Sequence, residues 1–246
     1  MNVRLLNSFN KCCILYATFV ILLVLIILRI IVMKYTHKSI NSISDGVAYG
    51  LVKFFRFFAD TFFAKRYGNR AIVLETVAAI PGMVAGVFQH LWCLRKIKND
   101  HGWIKLLLEE ADNERMHLMT FIEIAKPNWF ERVIIFFAQM IFVVLYTIIY
   151  LISMRTAHRF VGYLEEEAVV SYIHYLEAID DGSIENVSAP EIAVEYWNMP
   201  TNATLRDVVI VVCKDEEDHR DVNHFLSDQI TKGDRISKPY NENVTA

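Results

Sequence analysis

The sequence predicts an all-α protein: a four-helix bundle with additional apolar helices that associate with a membrane. Three observations predict it. Glu-x-x-His occurs twice inside long amphipathic segments, two other helical segments carry a glutamate on an apolar stripe, and two stretches are apolar over bilayer-like lengths.

Composition agrees. Hydrophobic residues make up 54% of the 246, and the mean hydropathy of +0.29 is high for a soluble globule and low for a repeatedly spanning channel. Attachment to a bilayer fits that middle value better than multiple crossings. A net charge of −3 argues against nucleic acid as a partner. Few prolines (5) and glycines (9) leave room for long helices and few turns. Cys12, Cys13, Cys93 and Cys213 form no CxxC pair, so neither a structural zinc nor a disulfide framework is indicated.

Residues 1–44 read as a targeting or anchoring extension. No acidic residue precedes Asp45, while Arg4, Lys11, Arg29, Lys34 and Lys38 are basic, and 13–33 is apolar over a span-like length. Residues 45–232 read as the helical domain, and 233–246 as a polar tail. Helices are expected over 47–66, 69–98, 101–124, 128–154, 157–181 and 204–230. Asp100-His101-Gly102, Pro127 and Asp180-Asp181-Gly182 mark three of the breaks, and 183–203 reads as a loop around Pro190 and Pro200. On the first helix Leu51, Phe54, Phe55, Phe58 and Phe62 share a face with basic flanks, as an interfacial helix requires; a core-facing helix is the alternative. From Val133 to Met154 there is no charge, so hydropathy alone would let that segment cross a bilayer.

The two Glu-x-x-His pairs are Glu114–His117 and Glu216–His219. At i and i+3 both side chains leave one helix face. Leu107, Ala111, Leu118 and Phe121 lie on or beside that face in the first helix, and Val209, Val212 and Cys213 precede Glu216 in the second, so both pairs point inward. Glu75 shares a stripe with Ala71, Leu74 and Ala78. Among three consecutive glutamates, the stripe Val161, Leu164, Ala168, Tyr172 selects Glu165 and turns Glu166 and Glu167 elsewhere. Four glutamates and two histidines from four helices is the ligand pattern of ferritin-like di-iron and di-manganese bundles. Two divalent cations would neutralise four carboxylates whose burial alone would be prohibitive. Oxygen-rich ligands without thiolate favour iron or manganese over zinc. Asn113 and Asp215 each precede a ligand glutamate and suit hydrogen bonding to the ligands. Were 133–154 to cross a bilayer, Glu114 and Glu165 would emerge on opposite sides, about 30 Å apart, so that segment packs on the bundle or lies in the interface.

The stretches LETVAAIPGMV (74–84), LLEEADNERMHLMTF (107–121), RFVGYLEEEAV (159–169) and DEEDHRDVNH (215–224) resemble the alternative oxidase family, over roughly residues 50–230. The resemblance implies a cyanide-insensitive terminal oxidase of the respiratory chain that uses ubiquinol to reduce O₂ to water at a di-iron centre, without proton pumping. It implies iron ligands at Glu75, Glu114, His117, Glu165, Glu216 and His219, and a redox-active tyrosine at Tyr172. It implies hydrogen-bonding partners at Asn113, His158, Asp215 and Trp197, and a quinol pocket at Arg70, Leu74, Glu75, Val161, Leu164, Ala168 and Ser171. Arg56 and Asp60 match a pair on the membrane-facing helix. Ser171 stands where the family usually has threonine. Location in the mitochondrial inner membrane, or that of a reduced mitochondrion-related organelle, and a homodimeric, monotopic state are implied in the same way. A membrane quinone hydroxylase of the ferritin-like class would share the six ligands and differ in its product. A non-catalytic iron-binding bundle would bind metal without quinol-dependent O₂ uptake. A multi-span transporter with intramembrane carboxylates needs 77–94 to cross as well, which Pro81, Gly82, Gly86, Gln89 and His90 disfavour.

Overall fold

The computed structural model describes residues 37–63 and 67–232. The chain separates into two units, Met1–His37 and Lys38–Ala246. The apolar segment 13–33 and the polar tail 233–246 lie outside the described residues.

Among its described residues the second unit has seven helices: α1 (Ile43–Phe63), α2 (Tyr67–Lys96), α3 (Trp103–Ala125), α4 (Trp129–Ile152), α5 (Met154–Asp180), α6 (Glu191–Tyr196) and α7 (Leu205–Thr231). No strand occurs among the described residues beyond one bridge pair, Ser188 with Thr204. The bundle is two antiparallel pairs, α2 with α3 and α5 with α7. Asp180 pairs with Arg206 near one end of the second pair, and Ser227 donates to the Arg155 carbonyl near the other.

Local chemistry accounts for the boundaries. Asn128 and Glu131 form a capping box at the start of α4, and Thr204 and Asp207 another at the start of α7. Only Ser153, extended at φ −156° and ψ 100°, separates α4 from α5, and its hydroxyl accepts from the Thr156 amide. The sequence pattern predicts a wider gap there and a loop over 183–203; the short α6 within that stretch starts just after Pro190.

Two glycines set the closeness of the pairs. A Cβ on Gly82 would meet the Leu107 carbonyl oxygen at 2.4 Å, and one on Gly162 would meet the His224 ring at 2.5 Å. Only glycine allows either approach.

The apolar helices divide as their faces dictate. On α4 Phe142, Tyr146 and Tyr150 are buried, one per turn, while Phe136, Phe137, Met140, Ile141, Val144, Ile148 and Leu151 are exposed. On α1 Phe55 turns inward against Phe142 and Phe160, whereas Phe54, Phe57 and Phe58 face out. The expected face of α1 is thus rotated: Phe57 joins it and Phe55 leaves it. One side of the helix, with Leu51 and Phe55, packs on the core, and the other leaves three phenylalanines exposed.

Candidate metal centre

Four helices converge on one buried cluster. Glu75 of α2, Glu114 and His117 of α3, and Glu216 of α7 offer ligand atoms that all lie within 4.8 Å of one another. Each is buried to 1% exposure or less. The Nδ1 of His117 sits 3.3 Å from oxygens of Glu75, Glu114 and Glu216. The other two expected ligands border this group. His219 Nδ1 is 2.5 Å from Glu114 Oε1 and 3.9 Å from Glu216 Oε2. Glu165 on α5, 2% exposed, lies against Glu216. Pairs at i and i+3 put Glu114 with His117, and Glu216 with His219, on single faces, as their spacing demands.

The electrostatics test whether a cation fits. Burial raises Glu114 to about 8 and Glu216 to about 7, and neighbouring carboxylates add to both shifts. Burial and the charges of Glu216 and Glu114 push Glu165 well above the carboxylate range. Burial opposes a charge on His117, yet Glu114, Asp215 and Glu216 outweigh it and raise that imidazole well above its ordinary value. The oxygens of Glu114 and Glu216 and the Nδ1 of His219 crowd one another at 2.5–3.9 Å without hydrogen-bond geometry. Unpartnered buried carboxylates that favour positive charge at their centre are what divalent cations satisfy. The donor set suits iron or manganese.

A layer of hydrogen bonds holds His117 from behind. Its Nε2 lies 3.2 Å from Asp215 Oδ2, which also accepts from Trp197 Nε1 at 2.9 Å and Asn113 Nδ2 at 3.0 Å. Trp197 stacks on the His117 ring at 5.8 Å. Burial alone would raise Asp215; His117, Trp197 and Asn113 more than reverse it, so Asp215 stays ionised. α6 and the turn after it carry Tyr196 and Trp197 into this layer.

Tyr172, 2% exposed, donates its hydroxyl to Glu75 Oε1 and stacks on Phe121. Burial, then the charge of Glu75, pushes its pKa far up, so the phenol keeps its proton.

An apolar cavity of about 490 Å³ reaches the cluster at Glu75, Glu165 and Glu216. Of the residues named above for a quinol pocket, Arg70, Leu74, Glu75, Leu164 and Ala168 line it. Val161 and Ser171 do not: both are buried, Val161 in the hydrophobic core. Arg70 is 7% exposed, pairs with Asp60 at 2.7 Å, and leaves its Nε without a partner. Arg56 pairs with Asp60 at 3.1 Å and with Glu167, which Lys53 also meets. The cavity wall also includes Phe58 of α1 and Ile141 of α4, both more than half exposed on the outward apolar faces.

His158 is drawn away from the ligands themselves. Its Nδ1 meets Asn223 Oδ1 at 3.0 Å, and Asn223 reaches Glu110. Glu110 and Asn223 escaped the sequence reading, although Glu110 precedes Glu114 by four residues and Asn223 follows His219 by four, each on the ligand face.

A family model described as alternative oxidase matches residues 29–228. Alternative oxidase 3, mitochondrial, of Glycine max is 54% identical over 202 residues, covering 82% of this chain and 62% of the relative. Ubiquinol oxidase 2, mitochondrial, of Nicotiana tabacum is 54% identical over 200 residues, 81% of this chain and 67% of the relative. Ubiquinol oxidase, mitochondrial, of Batrachochytrium dendrobatidis is 53% identical over 194 residues, 79% and 61%. The chain thus spans about two thirds or less of the length of these relatives.

Proposed function

The chain belongs to the alternative oxidase family, and from that premise we propose that it is a ubiquinol:oxygen oxidoreductase reducing O₂ to water. The observation that carries the proposal is the continuity of the 490 Å³ apolar cavity with a buried, cation-favouring glutamate–histidine cluster. The cofactor is a di-iron centre, and the proposed ligands are Glu75, Glu114, His117, Glu165, Glu216 and His219. Bound there, two iron ions would supply the redox chemistry linking quinol oxidation to O₂ reduction.

The chain's own residues do the rest. Arg70, with an unpartnered buried Nε at the cavity, donates a hydrogen bond to a quinol oxygen. Leu74, Leu164 and Ala168 form walls that exclude water from the ring. Tyr172 holds a proton beside Glu75 at the cavity's inner end. Asp215, Asn113 and Trp197 fix the orientation of His117. Two quinols release four electrons and four protons, the number O₂ needs to form two waters. The stoichiometry therefore closes without moving protons across a membrane.

Access and attachment follow from the outward faces. α4 is 24 residues long, about 36 Å, and apolar enough to span, yet only 17% of its most apolar window is buried. Its neighbours in sequence, α3 and α5, bring Glu114 and Glu165 to one cluster. α4 and the Phe54–Phe57–Phe58 side of α1 therefore lie in one leaflet rather than crossing. Phe58 and Ile141 then form a mouth through which quinol enters from the bilayer. The proposed location is the mitochondrial inner membrane or that of a related reduced organelle. The homodimer is proposed by family analogy, and chemical cross-linking in membranes tests it.

The first test is O₂ uptake by membranes holding the chain, with ubiquinol supplied and cyanide present. The proposal expects uptake that cyanide spares and that Glu114→Ala abolishes. Quinol-dependent uptake surviving Glu165→Ala and His219→Ala would end it. Oxygen found in the quinone ring instead of water would mark the hydroxylase reading.

A further inference from the structure

One helical turn or two from the cluster, a buried triad joins three of its four helices. Glu110 lies four residues before Glu114 on α3, Asn223 four after His219 on α7, and His158 seven before Glu165 on α5. Whole-turn offsets keep each on the face that carries its helix's ligand. Their exposures are 6%, 1% and 1%.

Asn223 uses its whole amide. Nδ2 donates to the two oxygens of Glu110 at 2.9 and 3.0 Å, and to the His219 carbonyl oxygen at 3.0 Å. Oδ1 meets His158 Nδ1 at 3.0 Å. Turning the amide over would set its oxygen against a carboxylate and a carbonyl, so only one orientation satisfies every partner. His158 therefore donates through Nδ1. Its Nε2 lacks a partner, and burial pulls its pKa down to about 4, which keeps the ring neutral.

Glu110 has no place in the charge balance of the centre. Four glutamates already match two divalent ions, so a fifth buried carboxylate is costly unless something uses it. Burial pushes Glu110 up to about 7, against the opposing pull of His219 and the Asn223 hydrogen bond. The two histidines are thus held in different ways. His117 has Asp215 directly on its second ring nitrogen. His219 has its carboxylate at one remove, because Glu110 grips the helix turn that carries it through Asn223.

We infer that Asn223, anchored by Glu110 and His158, is a positioning residue for His219: it fixes the turn of α7 from which that imidazole meets Glu114. The inference rests on the di-iron reading above. Nothing in the ligand pattern itself requires these three residues; the Asn223 bond to the His219 carbonyl lies within α7, and the others tie α7 to α3 and α5.

The test is anaerobic titration of the purified full chain with Fe(II) and, separately, Co(II). Ions per chain, affinity, the Co(II) absorption spectrum and thermal melting are read together. Asn223→Ala and Glu110→Ala should each bind one of two ions 10–100-fold more weakly, with an altered Co(II) spectrum. Glu110→Gln keeps an oxygen that accepts from Asn223, and should stay within about threefold of wild type with an unaltered spectrum. Asn223→Asp keeps the acceptor for His158 and loses the donor bonds to Glu110 and to the His219 carbonyl, so it should behave as Asn223→Ala does. Wild-type affinity and spectrum in Asn223→Ala would overturn the inference. So would equal weakening of both ions in step with a lowered melting point, which marks a merely structural role. Glu110→Gln as damaging as Glu110→Ala would overturn it too, since charge and not the bond would then matter. Wild type binding no second ion would overturn the di-iron reading, and this inference with it.

Discussion

Replacing Gly82 with alanine should separate α2 from α3 and loosen the metal centre without touching a ligand. The added Cβ would lie 2.4 Å from the Leu107 carbonyl oxygen, 3.0 Å from Ala111 Cβ and 3.2 Å from Ala111 N. The closest of these is backbone, which cannot swing aside as a long side chain would. Bringing the oxygen to an ordinary contact of at least 3.4 Å requires the helices to part by about 1 Å. Overpacking of this kind costs roughly 1–3 kcal/mol, or about 2–12 °C in melting temperature for a domain of this size. Gly82 lies seven residues, two turns, after Glu75, and Ala111 three before Glu114, so the displacement reaches the ligands. The 3.3 Å approach of His117 Nδ1 to Glu75 Oε2 spans the same helix pair and should lengthen. The assay pairs a thermal melt with iron per chain. Gly50→Ala supplies the internal control, because a Cβ there meets nothing within 4 Å. Alanine should stabilise that exposed helical position by about 0.5–1 kcal/mol. Gly82→Ala melting within 1 °C of wild type and retaining full iron would refute the close-approach argument.

Three other predictions follow from separate parts of the molecule. His158 sits at about 4 in the fold against an ordinary value near 6.5, so its pKa is depressed and the unfolded chain takes up the proton first. Its contribution is complete above pH 6.5 and is lost as pH falls toward 4; between pH 7 and 5 wild type should lose about 2 kcal/mol more than His158→Gln in denaturant melts. Equal losses would place the titration elsewhere. Trp197→Phe keeps the stacking face toward His117 but removes the 2.9 Å donor to Asp215; Fe(II) affinity should fall about tenfold, and an unchanged titration would show that the bond does not orient His117. Phe54, Phe57 and Phe58 are 57%, 65% and 55% exposed; changing all three to serine should weaken vesicle binding by at least about tenfold, each ring inserting for roughly 1.5–3 kcal/mol. Undiminished binding would assign attachment to α4 alone.

The sequence carries what depends on periodicity and loses what depends on neighbours. The burial of Glu75, Glu114, His117, Glu165, Glu216 and His219 was legible because each stands on an apolar stripe of a long helix, and burying the stripe carries the side chain inward. Phe55 and Phe57 were misassigned because α1 has two apolar sides, and only the position of Phe142 and Phe160 decides which one turns in. The break at Ser153 carries neither proline nor glycine, and with only the serine cap to mark it the sequence pattern overstates its width. Val161 and Ser171 lie on the ligand-bearing helix, yet the cavity wall follows Leu164 and Ala168 instead. Glu110 and Asn223 are polar residues on an apolar face, a signal present in the sequence but overshadowed by the ligands one turn away.

The run Glu165-Glu166-Glu167 shows how one turn of helix joins chemistry to attachment. Successive residues on an α-helix point about 100° apart, so three adjacent carboxylates cannot serve one site. Glu165 enters the cluster. Glu166, 9% exposed, accepts from the Lys38 amide at 2.7 Å and meets His224 Nε2 at 3.0 Å, and the Nδ1 of that ring meets Arg159 at 2.9 Å. Arg159 closes that side by pairing with Asp45 at 2.9 Å, at the start of α1. Glu167 pairs with Lys53 and Arg56 further along α1. The helix that presents Phe54, Phe57 and Phe58 outward is therefore bound at two levels to the turn that presents Glu165 inward. Because the cavity runs between that helix and the cluster, with Arg56 and Glu167 in its wall, a shift of α1 alters the wall on both the solvent and the cluster side at once.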